Sequence, residues 1–117
     1  MGLWGEQLTP EVVEEYNLVN VDLYQTGILV TRVSEGNPAA KAGLRPIEKT
    51  IDREGFTAYI ARDIIIAVDG ITMKSWSDWH VYFAEKVSPY QTIIITLLRD
   101  GLLEEIELTT TYRKPYE

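Results

Sequence analysis

The sequence has no cysteine and a single histidine, His80. Disulfides and thiolate metal sites are excluded, and zinc has no usual ligand set. Basic residues are few: 11 Lys and Arg stand against 18 Asp and Glu, giving a net charge of −7, and the bases form no block. Phosphate backbones and anionic membranes are bound through Lys and Arg clusters, so both are disfavoured as partners. Long apolar runs are missing as well. None approaches the ~20 residues of a membrane-spanning helix, and Met1-Gly2-Leu3-Trp4 lacks the basic start of a signal peptide. Gly-rich phosphate loops, Gly-x-Ser-x-Gly elbows, calcium-loop spacings and internal repeats are also absent, and no cofactor is implied. Ser77, Asp78 and His80 crowd one short stretch. That spacing supplies neither an oxyanion hole nor the triad geometry acyl transfer needs, so no catalytic residue is assigned.

What remains is a chain of 117 residues, 45% hydrophobic and 25% charged. Its length suits one domain that buries roughly two-thirds of its unfolded surface, and its composition is that of a globular protein. Leu3 to Leu8 reads as a short strand. Thr9 can cap and Pro10 can start a helix over Pro10–Tyr16, ending near Asn17. Gly27 to Val33 is a β-branched strand, Ser34 to Asn37 a turn, and Pro38–Ala42 a short helix capped by Asn37 and ended by Gly43. Ile51 and Phe56 to Ile60 flank the turn Asp52 to Gly55 as a hairpin, an insertion at about 45–62. Asp63 to Val68 is an isoleucine-rich strand, followed by the hairpin turn Asp69-Gly70. Trp76–Lys86 is the main helix, with Ser75 or Ser77 as its cap. Trp76, Trp79, His80, Phe83 and Val87 share one face, and Val81 and Ala84 widen it. Thr92 to Leu98 and Leu103 to Thr110 flank Asp100-Gly101, with Ile106 and Leu108 pointing inward. The expected fold is α+β and mostly β. It is a single domain over 1–117: a small antiparallel barrel or partly open sheet capped by two helices.

Three segments, in order, carry a resemblance. Asn37-Pro38-Ala39-Ala40-Lys41-Ala42-Gly43-Leu44 follows the strand ending at Val33; Asp63-Ile64-Ile65-Ile66-Ala67-Val68-Asp69-Gly70 comes next; Leu97-Leu98-Arg99-Asp100-Gly101 is the third. Together they resemble the PDZ domain of HtrA/Deg (DegP-like) serine proteases across essentially the whole chain. The sequence departs from the family pattern in the long segment Arg45 to Arg62, in Arg62 where a glycine is expected, and in Pro89-Tyr90 where Pro-Gly is expected.

The resemblance implies a binding site. Family members precede the domain with a hydrophobic-Gly-hydrophobic loop whose N–H groups hold a peptide's C-terminal carboxylate; here it falls on Met1-Gly2-Leu3. A peptide would add to the edge of the strand over Leu3 to Glu6, with the Trp76–Lys86 helix as the opposite wall. The implied peptide-binding residues are Gly2, Leu3, Trp4, Gly5, Trp79, His80, Phe83 and Ala84. Core packing is the competing reading for Trp76, Trp79 and Phe83, a surface role for His80, and for Trp4 a place against the sheet. Because the chain starts inside the proposed loop and looks like an excised domain, peptide binding is expected at about the micromolar level or weaker.

The function implied is a non-catalytic module that recognises hydrophobic C-termini or unfolded segments in protein quality control, linked to a serine protease domain. The implied compartment is periplasmic or extracytoplasmic. The alternative is an assembly domain that contacts a protease domain or a second copy without binding free peptide, through the same apolar surfaces or through Phe56, Tyr59 and Ile60 of the hairpin. Tail-specific and intramembrane proteases carry similar domains, so other parents stay open.

Overall fold

The computed structural model describes residues 1–111. Along it run β1 (Leu3–Gln7), α1 (Pro10–Glu15), β2 (Ile28–Val33), α2 (Pro38–Lys41), β3 (Glu48–Ile51), β4 (Thr57–Ile60), β5 (Asp63–Val68), β6 (Ile71–Thr72), α3 (Trp76–Lys86), β7 (Thr92–Arg99) and β8 (Leu102–Thr109). The main sheet has the order β1-β2-β5-β7-β8, with β6 paired to β5, and all its pairings are antiparallel. Of the two sheet forms expected, the open one is found: β1 and β8 end the sheet and do not close on each other. The described residues hold three helices where two were expected to cap the sheet.

Helix starts follow local chemistry. The Thr9 hydroxyl accepts the Val12 N–H at 3.2 Å, and Pro10 occupies the first turn of α1. Ser75, not Ser77, caps α3 by accepting the Asp78 N–H at 3.1 Å. Asn37 holds the N-cap position of α2, its carbonyl accepting the Lys41 N–H at 3.0 Å, but its side chain makes no capping bond and instead lies over Gly2. Both predicted hairpin turns have consecutive left-handed residues, Asp69 and Gly70 at φ 49° and 81° and Asp100 and Gly101 at φ 50° and 81°. These φ values belong to the turn that matches the twist of paired strands, which is why Asp-Gly stands at both places.

The central strands of the sheet are buried on both faces. Ile28 and Val30 of β2, Ile65 and Val68 of β5, and Ile93, Ile95 and Leu97 of β7 face one core with Trp79, Phe83 and Val87. Leu29 and Ile64 face a second core, with Leu8, Val13, Leu18 and Ala61, and Ile66, Leu98 and Tyr59 pack on it. Alternating side chains of a strand point to opposite faces. A strand covered on both sides therefore needs an unbroken apolar run, which Ile64-Ile65-Ile66 supplies. Leu108 is buried and Ile106 half-buried on the first core, as their alternation predicts. Val81 and Ala84 do not widen the buried face of α3; both are exposed. Tyr82 does so on the opposite flank, half-buried and donating to Asp69 Oδ2 at 2.6 Å. That bond, ahead of the smaller effect of burial, raises the Tyr82 pKa above its ordinary value.

The hairpin β3–β4 forms a separate two-stranded sheet over the second core. The chain after α1 joins it: Tyr59 N–H donates to Asn17 O at 3.3 Å and Val19 N–H to Tyr59 O at 3.2 Å. Asn20 adds a strand-like pair with Ala61, donating to its carbonyl at 2.7 Å and accepting its N–H at 2.9 Å. Tyr59 packs edge-on against Tyr16 with centroids 5.7 Å apart, so of the three residues expected to serve contacts only Phe56, 65% exposed, faces fully outward.

One buried ion pair joins the sheet to the α2 segment. Asp63 is 0% exposed and receives two bonds from Arg99, Nε to Oδ1 at 2.6 Å and Nη2 to Oδ2 at 2.7 Å. Its Oδ2 also accepts the Arg45 N–H at 2.8 Å, and Arg99 Nη2 reaches Gly43 O at 2.9 Å. Arg62, in the position where glycine was expected, pairs at the surface with Glu48 at 2.8 Å.

Two predictions follow from this packing. Asp63→Ala strips the half-buried Arg99 guanidinium of its two short bonds and leaves it the 3.4 Å contact with Glu104 and the Gly43 carbonyl, so unfolding free energy in urea should drop by about 3 kcal/mol. Glu48→Ala, which breaks only the exposed pair, should cost about 1 kcal/mol or less. At the hairpin tip, Asp52 is held below its ordinary pKa of 3.8 first by the Asn17 amide, then by the N–H of Phe56, with those of Glu54 and Gly55 adding less. A carboxylate whose pKa is depressed by folding adds stability above its unfolded pKa and loses it as pH falls through the folded value. The protection factors of the Phe56 and Glu54 amides, taken relative to the intrinsic exchange rate at each pH, should therefore fall as pH drops below 3.8, as read by hydrogen exchange.

Candidate functional site

β1 is the free end of the sheet on the side where α3 lies. Its pairing with β2 fixes which backbone groups face outward. Leu8 N–H bonds Gly27 O at 2.9 Å, and the register runs Gln7↔Ile28, Glu6↔Leu29, Gly5↔Val30. Antiparallel partners alternate between bonded and non-bonded pairs, so Gln7 and Gly5 direct their N–H and C=O away from β2. At the other end Ser34 N–H bonds Gly2 O at 2.8 Å, which leaves Leu3 facing outward beyond the irregularity at Trp4/Gly5. Three residues in alternation thus present backbone groups at an open rim.

Beside that rim is a cavity of about 430 Å³, lined by Met1, Leu3, Trp4, Gly5, Trp76, Trp79 and His80. None of these side chains is a carboxylate, a lysine or an arginine, and most are apolar, so the cavity suits an apolar occupant. Its helical wall is a chain of rings. Trp79 stacks on Phe83 with centroids 4.4 Å apart, Trp76 meets Trp79 edge-on at 5.6 Å, and His80 stacks on Trp76 at 5.7 Å. The i, i+3, i+4 spacing on α3 places them so. Trp79 and Phe83 are buried, Trp76 is half-buried and His80 is exposed. The Trp76 Nε1–H donates to Gly5 O at 3.2 Å.

Sequence reasoning named eight residues for this site. Leu3, Trp4, Gly5, Trp79 and His80 come together around the cavity. Gly2, Phe83 and Ala84 are not in its lining. Phe83 lies in the core beneath Trp79, Ala84 is exposed on the helix flank, and Gly2, in the loop before β1 at φ 77°, lies against Asn37. Trp4, 48% exposed, does two jobs: it lines the cavity mouth and carries the Arg32 guanidinium over its ring at 4.7 Å. Met1 and Trp76 also line the cavity; the expected loop began at Met1 and the expected helical wall at Trp76, though neither was among the eight residues named. Trp76 was legible as part of the Trp79/His80 face; that its half-buried ring crosses to β1 was not.

Gly5 is required by close approach and not by φ. A Cβ there would stand 2.5 Å from Leu29 O and 3.2 Å from Trp76 Cζ2. Among the described residues no three His, Asp or Glu side chains gather to hold a metal, and no helix is long and apolar enough to cross a membrane. Gly5→Ala should push β1 away from β2 and Trp76. The expected cost in thermal or urea unfolding is about 1–3 kcal/mol, with the largest amide shifts at Leu29 and Trp76.

Residues 8–110 match the family model described as PDZ domain. No curated protein matches the chain. Among solved structures, the HtrA-type protease AlgW with decapeptide is similar at a TM-score of 0.66 and 27% identity, over 97% of this chain and 29% of that one. The same protease with tripeptide matches at 0.62 and 26%, over 97% and 31%. An aminopeptidase N family protein from Idiomarina loihiensis shares the fold at a TM-score of 0.60 and 22% identity, over 97% of this chain and 14% of that one. The chain thus spans less than a third of the length of each.

Proposed function

The chain belongs to the PDZ domain family, and on that premise we propose that it recognises the C-terminal end of a peptide or protein by strand addition in the groove between β1 and α3. PDZ domains are non-catalytic, so the work done here is binding. The observation that carries the reading is the outward-facing rim of Leu3, Gly5 and Gln7 beside an uncharged, ring-lined cavity. The rim would supply backbone hydrogen bonds to an extended peptide, and the cavity would take its apolar last side chain. The loop before β1 suits a carboxylate. Gly2 adopts φ 77°, and the carbonyls of Met1 and Gly2 turn inward to Ala39 N–H at 3.3 Å and Ser34 N–H at 2.8 Å. Inward carbonyls leave the loop's positive dipole end towards the groove. Support also comes from the two AlgW structures, described with a decapeptide and with a tripeptide.

By the same likeness the domain serves an HtrA-type serine protease, presenting chain ends to the protease or regulating it. Its partners would then be peptide or protein C-termini and the linked protease domain. A second reading has one observation in its favour: Ile51 and Phe56, 69% and 65% exposed, stand at a hairpin tip braced by Asp52. Such a tip fits contact with a protease domain or another copy.

The test is an NMR titration with decapeptides ending in Ala, Val, Leu or Phe, each as the free acid and as the C-terminal amide. Amides of residues 2–7 and 76–80 should shift, with Kd at about the micromolar level or weaker. The amide form should bind about tenfold or more weakly, since it forfeits hydrogen bonds to a charged group. No shifts at millimolar peptide, together with a dimer in solution, would transfer the function to the hairpin.

A further inference from the structure

We infer that Trp76 sets how tightly the groove takes a peptide, because its indole already holds the Gly5 carbonyl that an added strand needs. The inference rests on the strand-addition reading above and concerns the control of that same site. Gly5 is the middle one of the three outward-facing residues of β1, so an extended peptide cannot pair with Leu3 and Gln7 and pass it by. The Trp76 Nε1–H occupies that carbonyl at 3.2 Å. The ring itself lies against β1, its Nε1–H at the outward carbonyl and its Cζ2 3.2 Å from where a Gly5 Cβ would be. A neighbouring strand runs ~4.8 Å away, in space the indole now borders. A carbonyl has two lone pairs, but the ring, unlike the lone pairs, has to move before a backbone can approach.

The surroundings of Trp76 fit a movable group. It is half-buried, held by edge contact with Trp79 at 5.6 Å, by stacking with His80 at 5.7 Å and by its one bond to Gly5. Trp79, by contrast, is buried and stacked on Phe83 at 4.4 Å. Trp79 is the fixed wall and Trp76 the leaf that swings. In the free domain the indole satisfies the rim acceptor; in the complex a peptide N–H takes its place and the indole turns to solvent. Each binding event therefore trades one hydrogen bond for another, and part of the peptide's gain is cancelled.

Trp76→Phe keeps an aromatic ring and deletes the N–H. Decapeptides ending in Ala, Val, Leu or Phe should bind the variant about three- to tenfold more tightly than the parent, the worth of one neutral hydrogen bond. A second measurement needs no variant. In the unsubstituted protein the Trp76 indole N–H resonance should move upfield on peptide saturation, as its bond is released, while that of Trp79 stays. Equal or weaker binding by a folded Trp76→Phe protein overturns the inference and leaves strand addition standing, provided the β1 amides still shift. An unmoved Trp76 indole resonance beside shifting β1 amides does the same, even where the variant fails to fold. Silence of the β1 amides to every peptide, in the parent and the variant alike, overturns strand addition and the inference with it.

Discussion

A carboxylate removed from water tolerates its position only if its charge is paired and both oxygens are hydrogen-bonded, and Asp63 meets that condition through Arg99 and the Arg45 N–H. The consequences spread along the sheet. Asp63 opens β5, Arg99 closes β7, and the same guanidinium reaches Gly43 at the end of α2. The pair thus locks the two central strands in register and moors the α2 segment to them. β2 then pairs with β5, and β1 with β2. The position of the outer rim is set by this sequence of pairings, so the groove inherits its geometry from a contact it never touches.

Much of the fold was legible because its cues are local. Asp-Gly at 69–70 and 100–101 demands left-handed residues, and both turns have them. Thr9-Pro10 and Ser75 announce helix starts that the backbone takes up. What escaped was non-local. Asn37 has the chemistry of a cap, yet it packs over Gly2 because the chain's first residues return beside α2. Val81 and Ala84 are apolar, but a helix lying on a sheet buries one stripe, and theirs points to solvent. The candidate site divides the same way. Helical spacing put Trp79 and His80 on one face, and the resemblance named them and Leu3 to Gly5 for the groove. Phe83 shares the spacing, but lies one turn too deep. Trp76 could be placed on the right face, whereas its bond across to Gly5 depends on a distance between elements that no spacing encodes.

The insertion at 45–62 is a lid on the second core. Sheets of this size with one bare face alternate apolar and polar residues, and β5 does not. The hairpin, with α1 and the strand-like run at Asn17 to Asn20, covers the face that Leu29, Ile64 and Ile66 require. The insertion and the isoleucine run are two halves of one solution.

The two ends of the main sheet differ in character. β8 displays Glu104, Glu105 and Glu107 in the open, beside exposed Leu102 and Leu103, whereas the rim of β1 bears a glycine and a tryptophan-lined hollow. Clustered like charge on a terminal strand repels another strand of the same kind. A molecule with one receptive border and one forbidding border can capture a single guest, but copies of it cannot zip border to border into a growing fibre.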